Sequence, residues 1–468
     1  MKLSCNNKLK YIFATSLNLF IHQRKIITMK QQNTKSLFSF GYLLYLISTP
    51  IVLNAQSLSV VDSESLEPIP YASVEIYEMQ IQSYCDINGK YEIGYLSNTT
   101  PVIVSANGYK PTSFIYKTGD NNFYNIKLKK SHIFLNEILV SPTTGLVQKN
   151  NLTNVILKRI NQTDQIMAPN LMELITNVPG VYSINTGSSI SKPVIRGLSG
   201  LKVVTFLNGL RIENQQWAND HGLNFTDMGI KSVEIVKGPS SLLYGADALG
   251  GVLYFTDEDY LPPNSFNSSF ESRFESNSMS SFNIARIKLA TEKIRFNVYA
   301  GYKSAAEYQI PDGEFVKNSS YNRKSLKASL GYNKNNWILN LRYNYNSNEN
   351  GLPGHTHSLN PSPEEFLLET QHRERILPLQ LIEDHYLSIE NKLILSNQSV
   401  IKFNTGFTSN SITEFEEKVT IPGISMLLNN IPYNFSFTSY VNENIKWISG
   451  IQGMLTKNSN DESAESSL

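Results

Sequence analysis

From about residue 268 onward, apolar and polar side chains alternate one for one. Over residues 293–300, Ile294, Phe296, Val298 and Ala300 share one face. Over residues 336–346, Trp337, Leu339, Leu341, Tyr343 and Tyr345 share one face, and Asn340, Arg342, Asn344 and Asn346 stand mostly opposite. Ile401, Phe403 and Phe407 face away from Lys402, Asn404 and Gly406. Successive strand residues point to opposite sides, so this period of two predicts strands with one apolar and one polar face. About eight or nine such runs follow Tyr260. A soluble β-sandwich alternates in this way. So does a transmembrane barrel, whose paired strands satisfy every backbone group inside lipid.

Nearer the amino end the pattern is shorter and denser. Apolar or alternating runs at residues 58–61, 72–77, 90–93, 102–106 and 123–128 are separated by Glu67-Pro68, Asn88-Gly89, Asn107-Gly108 and Gly119-Asp120. Close strands with turn chemistry between them predict a small β-sandwich over residues 56–130. Residues 145–257 mix strand runs, such as 203–208 and 230–236, with the string LMELITNV behind Ala168-Pro169-Asn170. That string predicts a short helix closed by Pro179-Gly180. Asn208-Gly209 and Gly238-Pro239 punctuate the strands.

Residues 37–53 are continuously apolar apart from a few hydroxyls, follow Lys30 and Lys35, and contain Pro50 near their end. A cationic approach, an apolar stretch and a small residue at Ala55 predict a secretory signal cut between Ala55 and Gln56. Met29 opens that pattern, so residues 1–55 are expected to be upstream sequence and signal. Cys5 would then be absent from the product and Cys85 alone in it. Two cysteines support no disulfide framework or cysteine zinc site. A formal net charge of +1 gives no reason to expect nucleic acid as a partner. Asp86-Ile87-Asn88-Gly89 begins like a calcium loop without its remaining ligands, and reads as an Asn-Gly turn.

The run PVIRGLSGLKVVTFLNGL, followed by IKSVEIVKGPSSLLYGADALGGVLYF, resembles the plug domain of TonB-dependent outer-membrane receptors. The motif residues are Arg196, Gly197, Asn208, Gly209, Gly238, Pro239, Tyr244, Gly245, Gly250 and Gly251. Each glycine also serves as turn punctuation, with no need to touch a solute. EPIPYASVEIYE, CDINGKYEI and VIVSANGYK over residues 56–130 are similar to the carboxypeptidase-regulatory-like domain that precedes many such receptors. No zinc-ligand spacing accompanies it, so no catalysis is expected. Glu137, Ile138, Leu139 and Val140, in a linker at 131–144, look like the short box that docks the TonB energy-transducing complex of the inner membrane. An extended segment there suits pairing with a sheet edge.

The resemblance implies a mainly β chain in the outer membrane: periplasmic sandwich, mixed α/β plug at 145–257, and an antiparallel lipid-embedded barrel over 258–468. A receptor barrel has about 22 strands, more than the residues after Tyr260 supply, so the barrel is expected to be incomplete. The implied task is energised uptake of a scarce small solute, with no cofactor and no bond chemistry. Residues 349–384 read as a long polar linker. His355 and His357 in it, Asp384 and His385 at its far end, and His221 in the plug suggest one divalent ion, since imidazole and carboxylate suit zinc. The stretch GLPGHTH is similar to a loop of zinc-importing receptors of the family. An iron chelate such as a siderophore or haem, or an organic nutrient, are the alternative cargoes. A surface adhesion or structural β-protein is the alternative of another class.

Overall fold

A computed structural model describes residues 56–76, 81–93, 100–106, 109–116, 123–130, 155–160, 170–213, 222, 226–245, 247–334, 337–354, 359–395, 399–442 and 445–460. The apolar run at 37–53, the docking residues Glu137, Ile138, Leu139 and Val140, and His221, His355 and His357 lie outside the described residues.

Seven short strands build the first layer pair: β1 (Gln56–Asp62), β2 (Ser73–Ile76), β3 (Ile81–Tyr84), β4 (Lys90–Ile93), β5 (Thr100–Ser105), β6 (Thr112–Tyr116) and β7 (Tyr124–Leu128). They form two sheets, ordered β4-β1-β7 and β3-β2-β5-β6. Leu58, Val60, Val74, Val102, Val104 and Leu128 are fully buried between them. Apolar burial is the dominant gain in such a small unit. Asp86 Oδ1 accepts from the Asn88 and Lys90 N–H groups at 2.9 and 2.7 Å, and Gly89 takes φ +69°. The Asp-Ile-Asn-Gly string is therefore a hydrogen-bonded turn.

The central unit has β8 (Val155–Arg159), β9 (Val181–Thr186), β10 (Ile190–Ile195), β11 (Val203–Leu207), β12 (Leu210–Ile212), β13 (Ile230–Val236) and β14 (Gly251–Asp257). Five of them make one mixed sheet, ordered β12-β11-β14-β13-β8, with β11 and β14 parallel. β9 and β10 form a separate hairpin. The expected helix at LMELITNV is only a single 3-10 turn, Glu173–Ile175. Asn170 Oδ1 takes the Met172 and Glu173 N–H groups, both at 3.0 Å, so the chain enters through a side-chain-closed turn. Pro179-Gly180 then stops it before an α-helical turn can propagate.

The remainder is a meander. β15 (Ser265–Glu275), β16 (Ser280–Ala290), β17 (Ile294–Ala305), a short β18 (Phe315–Val316), β19 (Tyr321–Lys334), β20 (Trp337–Gly351), a short β21 (Leu367–Leu368), β22 (Leu379–Leu395), β23 (Ser399–Phe415), β24 (Ile424–Asn442) and β25 (Ile445–Asn460) follow in order. The nine long strands pair antiparallel with their sequence neighbours, from β15 at one edge to β25 at the other. The outward face carries Phe270, Phe274, Ile287, Leu289, Leu330, Leu341, Ile389, Phe403, Phe407 and Phe435, all exposed. The inward face carries Asn344, Asn346, Asn348, Asn350, Gln380 and Asp384, all buried. Among the described residues no helix is long and apolar enough to cross a membrane; the elements suited to lipid are these strands.

The polar linker expected over residues 349–384 is shorter than the sequence suggests. β20 runs on to Gly351 and β22 begins at Leu379, so Asp384 and His385 lie inside a strand. Between these strands β21 pairs with β18, Phe315 opposite Leu368. Short polar stretches such as Asn344 to Asn350 look like loop in sequence because their inward side chains are asparagines rather than apolar groups.

Candidate functional site: the plug against the inner wall

The central unit lies against the inward face of the nine-stranded sheet. Tyr386 from β22 packs into the core made by Leu174, Ile195, Leu207, Ile212, Val233 and Phe255. Phe282, Ile284 and Tyr299 of the wall enclose Met228. Polar clasps surround these contacts. Lys327 Nζ lies 2.6 Å from Asp257 Oδ1 and donates to the Met228 and Gly229 carbonyls at 3.3 and 3.4 Å. Tyr299 Oη donates to Glu258 at 3.0 Å, and Lys288 pairs with the same carboxylate. Arg323 donates to the Ser189 carbonyl at 3.2 Å. The ammonium of Lys327 and its carboxylate are 6% and 13% exposed, so each needs the other to offset its desolvation.

The glycine-rich motif residues shape the turns of the plug. Arg196 and Gly197 form a tight turn closed by paired hydrogen bonds between Ile195 and Leu198. Asn208 and Gly209, at φ +50° and +88°, connect β11 to β12 by a two-residue turn with both residues left-handed. The Asn208 side chain accepts from the Asp257 N–H at 3.0 Å, which ties the turn to β14. Gly238 precedes Pro239, which opens the 3-10 turn Pro239–Tyr244. Tyr244 is buried edge-on against Phe206, ring centroids 5.5 Å apart. Gly245 follows at φ +122°, and the Gly250 N–H donates to Lys202 at 2.8 Å. Gly251 starts β14 at φ +149°.

The proposed single-ion cluster does not assemble from its described members. Asp384 and His385 are neighbours in β22, so their side chains leave on opposite faces. Asp384 points inward, is buried, and accepts from Asn410 Nδ2 at 2.7 Å. His385 is on the outward face, 2.8 Å from the Tyr343 hydroxyl and with its ring against Tyr345. One ion cannot take both. Among the described residues no group of three or more His, Cys, Asp or Glu is placed to hold a metal. His372, in the same connection, bonds Thr370 at 3.1 Å.

The sequence reading did not single out Asp257, Glu258, Tyr299, Arg323 or Lys327. The signal was available: Lys327 shares its strand parity with Ser325 and Ser329, which marks a charge on the polar face. What was missing was the partner, because Asp257 lies in a different unit of the chain.

Residues 150–252 match the TonB-dependent Receptor Plug Domain family, and residues 59–140 match the CarboxypepD_reg-like domain family. The hemin receptor of Yersinia enterocolitica is 35% identical over 96 residues, 20% of this chain and 13% of that protein. Heme/hemopexin utilization protein C of Haemophilus influenzae is 40% identical over 88 residues, 18% of this chain and 12% of that protein. The vitamin B12 transporter BtuB of Vibrio vulnificus is 27% identical over 180 residues, 38% of this chain and 29% of that protein. Among solved structures, the FrpB iron transporter of Neisseria meningitidis superposes with a TM-score of 0.54 at 13% identity, over 65% of this chain and 49% of that one. The ferric enterobactin receptor PfeA of Pseudomonas aeruginosa gives 0.53 at 13%, over 68% of this chain and 51% of that one. The chain thus spans about half the length of these folds and less than a third of the curated relatives.

Proposed function

We propose that this chain, which carries the plug domain of TonB-dependent receptors behind a carboxypeptidase-regulatory-like domain, serves in energised uptake of a metal-bearing organic chelate across the outer membrane. The observation that carries this reading is the plug itself, held to a polar inner wall by buried ion pairs such as Lys327 with Asp257. Such a plug blocks a barrel at rest, and solute passage needs work done on it from the periplasmic side. Glu137, Ile138, Leu139 and Val140 are the segment on which that work acts: an extended strand pairs with a sheet edge of the TonB protein through main-chain hydrogen bonds. The sandwich stands on the periplasmic side.

Relatives named for hemin, heme/hemopexin and vitamin B12, with neighbours named for iron and ferric enterobactin, favour an iron or cobalt chelate over a bare zinc ion. The split of Asp384 from His385 weakens the zinc reading independently. The plug motifs argue against the adhesion alternative, and they describe a receptor rather than an enzyme.

The test is growth of a strain whose receptor carries Ile138→Pro, with haem, a ferric siderophore, cobalamin or zinc as the limiting nutrient. Proline removes a backbone donor from the pairing strand. Growth on one chelate is expected to fail in the mutant, while binding of that chelate to whole cells persists. Equal growth of mutant and wild type on every chelate, with a defect confined to zinc, would return the assignment to the metal ion.

A further inference from the structure

The inward face of the sheet holds a second polar feature that does not clasp the plug. Asn346 on β20 lies directly opposite Asp384 on β22, and Asp384 lies directly opposite Asn410 on β23. Directly opposed residues of an antiparallel pair point to the same side, with Cβ atoms about 5 Å apart. The three side chains therefore form one row across three strands. All are buried, at 2%, 1% and 0% exposure.

Their hydrogens and their oxygens are used unequally. Asn410 Nδ2 donates to Asp384 Oδ1 at 2.7 Å and to Tyr386 Oη at 2.8 Å. In the adjoining row Asn430 Nδ2 donates to Thr408 Oγ1 at 3.2 Å. The Asn410 and Asn430 amides thus donate inside the wall. Asp384 Oδ2, Asn346 Oδ1, Asn410 Oδ1 and Asn430 Oδ1 have no partner among the described residues. The Arg323 guanidinium, in the adjacent row, is hydrogen-bonded to Asn348 at 2.9 Å and to the Ser189 carbonyl at 3.2 Å. A cluster of acceptors around a buried carboxylate is the complement of a positive group without lone pairs. Oxygen donors of this kind suit hard cations, whereas zinc and its neighbours prefer nitrogen and sulfur.

We propose that Asp384, with Asn346 and Asn410 as neutral co-ligands, forms a hard-cation site of calcium type in the inner wall. This site keeps Asp384 from the cluster considered above but none of its histidines, since His385 faces the other way. It does not depend on which chelate the receptor carries. Its role is to brace β20, β22 and β23 across the row where carboxylate and amide oxygens otherwise repel.

Terbium, a calcium surrogate whose emission is excited through nearby tyrosine, is the probe. The receptor is purified from outer membranes in detergent and titrated with terbium, then with competing calcium. A saturable signal displaced by calcium is expected. Asp384→Asn keeps the shape of the row and is expected to weaken terbium at least tenfold. Asn346→Asp adds a second carboxylate and is expected to bind as tightly as wild type or more so, which guards against simple misfolding of the row. His385→Ala, one residue away on the opposite face, is expected to leave affinity unchanged. No saturable signal in wild type, equal affinity in Asp384→Asn, or an equal loss in His385→Ala would overturn the site.

Discussion

Two single side chains in this molecule carry sharp consequences through the partners that hold them. Asp62 sits at the end of β1. Its carboxylate accepts from the Glu64 and Ser65 N–H groups at 2.8 and 3.1 Å, and from the Tyr109 hydroxyl at 2.9 Å, with Lys130 3.4 Å away. These donors, the backbone pair first, hold its pKa well below the usual carboxylate range. A depressed folded pKa means stability that is present above the unfolded value of 3.8 and is lost as pH falls below it. Thermal melting of the protein between pH 7 and pH 2 should therefore show an acid limb that flattens in Asp62→Asn. An unchanged limb would place the acid sensitivity elsewhere. Lys327 makes the second case. Removing one member of a buried pair costs about 3–5 kcal/mol, whereas removing both is close to neutral. Lys327→Met is expected to lower the urea midpoint for plug release, read by protease cleavage, and Lys327→Met with Asp257→Leu to restore most of it. If the double variant is as weak as the single, the pair is not what holds the plug.

At the scale of elements, the plug strands are joined by turns whose backbone shape leaves little choice of residue. Gly209 and Gly251 differ in what a side chain would meet. A Cβ on Gly209 would lie 3.1 Å from the Asn404 amide and 3.2 Å from the Tyr254 hydroxyl, both ends of side chains that can swing away. A Cβ on Gly251 would lie 2.7 Å from the Val236 carbonyl, which is fixed in the β13–β14 ladder. Both pay the left-handed conformational penalty of about 1–2 kcal/mol. Only Gly251→Ala adds a backbone clash, so it is expected to destabilise the plug clearly more than Gly209→Ala in urea unfolding. Equal losses would show that the conformation, and not the close approach, sets the requirement. The elements absent from the sequence reading follow the same logic. β6 exposes alternate positions and buries only Tyr116 fully, so its pattern is nearly indistinguishable from loop. β3 is four residues, IQSY, and exists because β2 offers it an edge.

In the whole molecule, the sandwich and the long sheet share a hydrophobic core. Val400, at the start of β23, is buried in the sandwich core, and Ile338 and Ile394 pack beside it. Tyr84 donates to the Tyr260 carbonyl at 3.2 Å, and the Arg295 guanidinium stands 5.1 Å over the Tyr84 ring. Ile338 begins β20, Ile394 ends β22, Val400 begins β23 and Arg295 begins β17, so these residues share one end of the long strands, opposite the longer connection from β20 to β22. Cys85 reports on this joint. Its thiol is in the shared core, and burial, with Asp86 nearby, pushes its pKa up to about 12. It therefore stays protonated and slow to alkylate at pH 8. Val400→Asp would put a charge between the sandwich and the sheet, and Cys85 in the intact protein should then react with iodoacetamide several-fold faster. No change in rate would show that the sandwich core closes without the sheet.

Alternation determined the long strands over most of their length and which of their faces is apolar, because a strand sends side chains to two sides whatever surrounds it. Turn residues determined the breaks in the plug: Asn208-Gly209 and Gly238-Pro239 specify left-handed or proline-limited backbone locally. Tertiary structure decided the rest. It decided that the polar face would be buried against the plug rather than left to water, so that Asp257 meets Lys327 and a row of asparagines loses its solvent. It decided that residues 379–385 continue a strand, because β20 and β23 offered hydrogen bonds on both sides. It decided, too, that Asp384 and His385 part company. In sequence they look like a pair of ligands. In a paired strand the backbone hydrogen bonds fix one toward the plug and the other away from it.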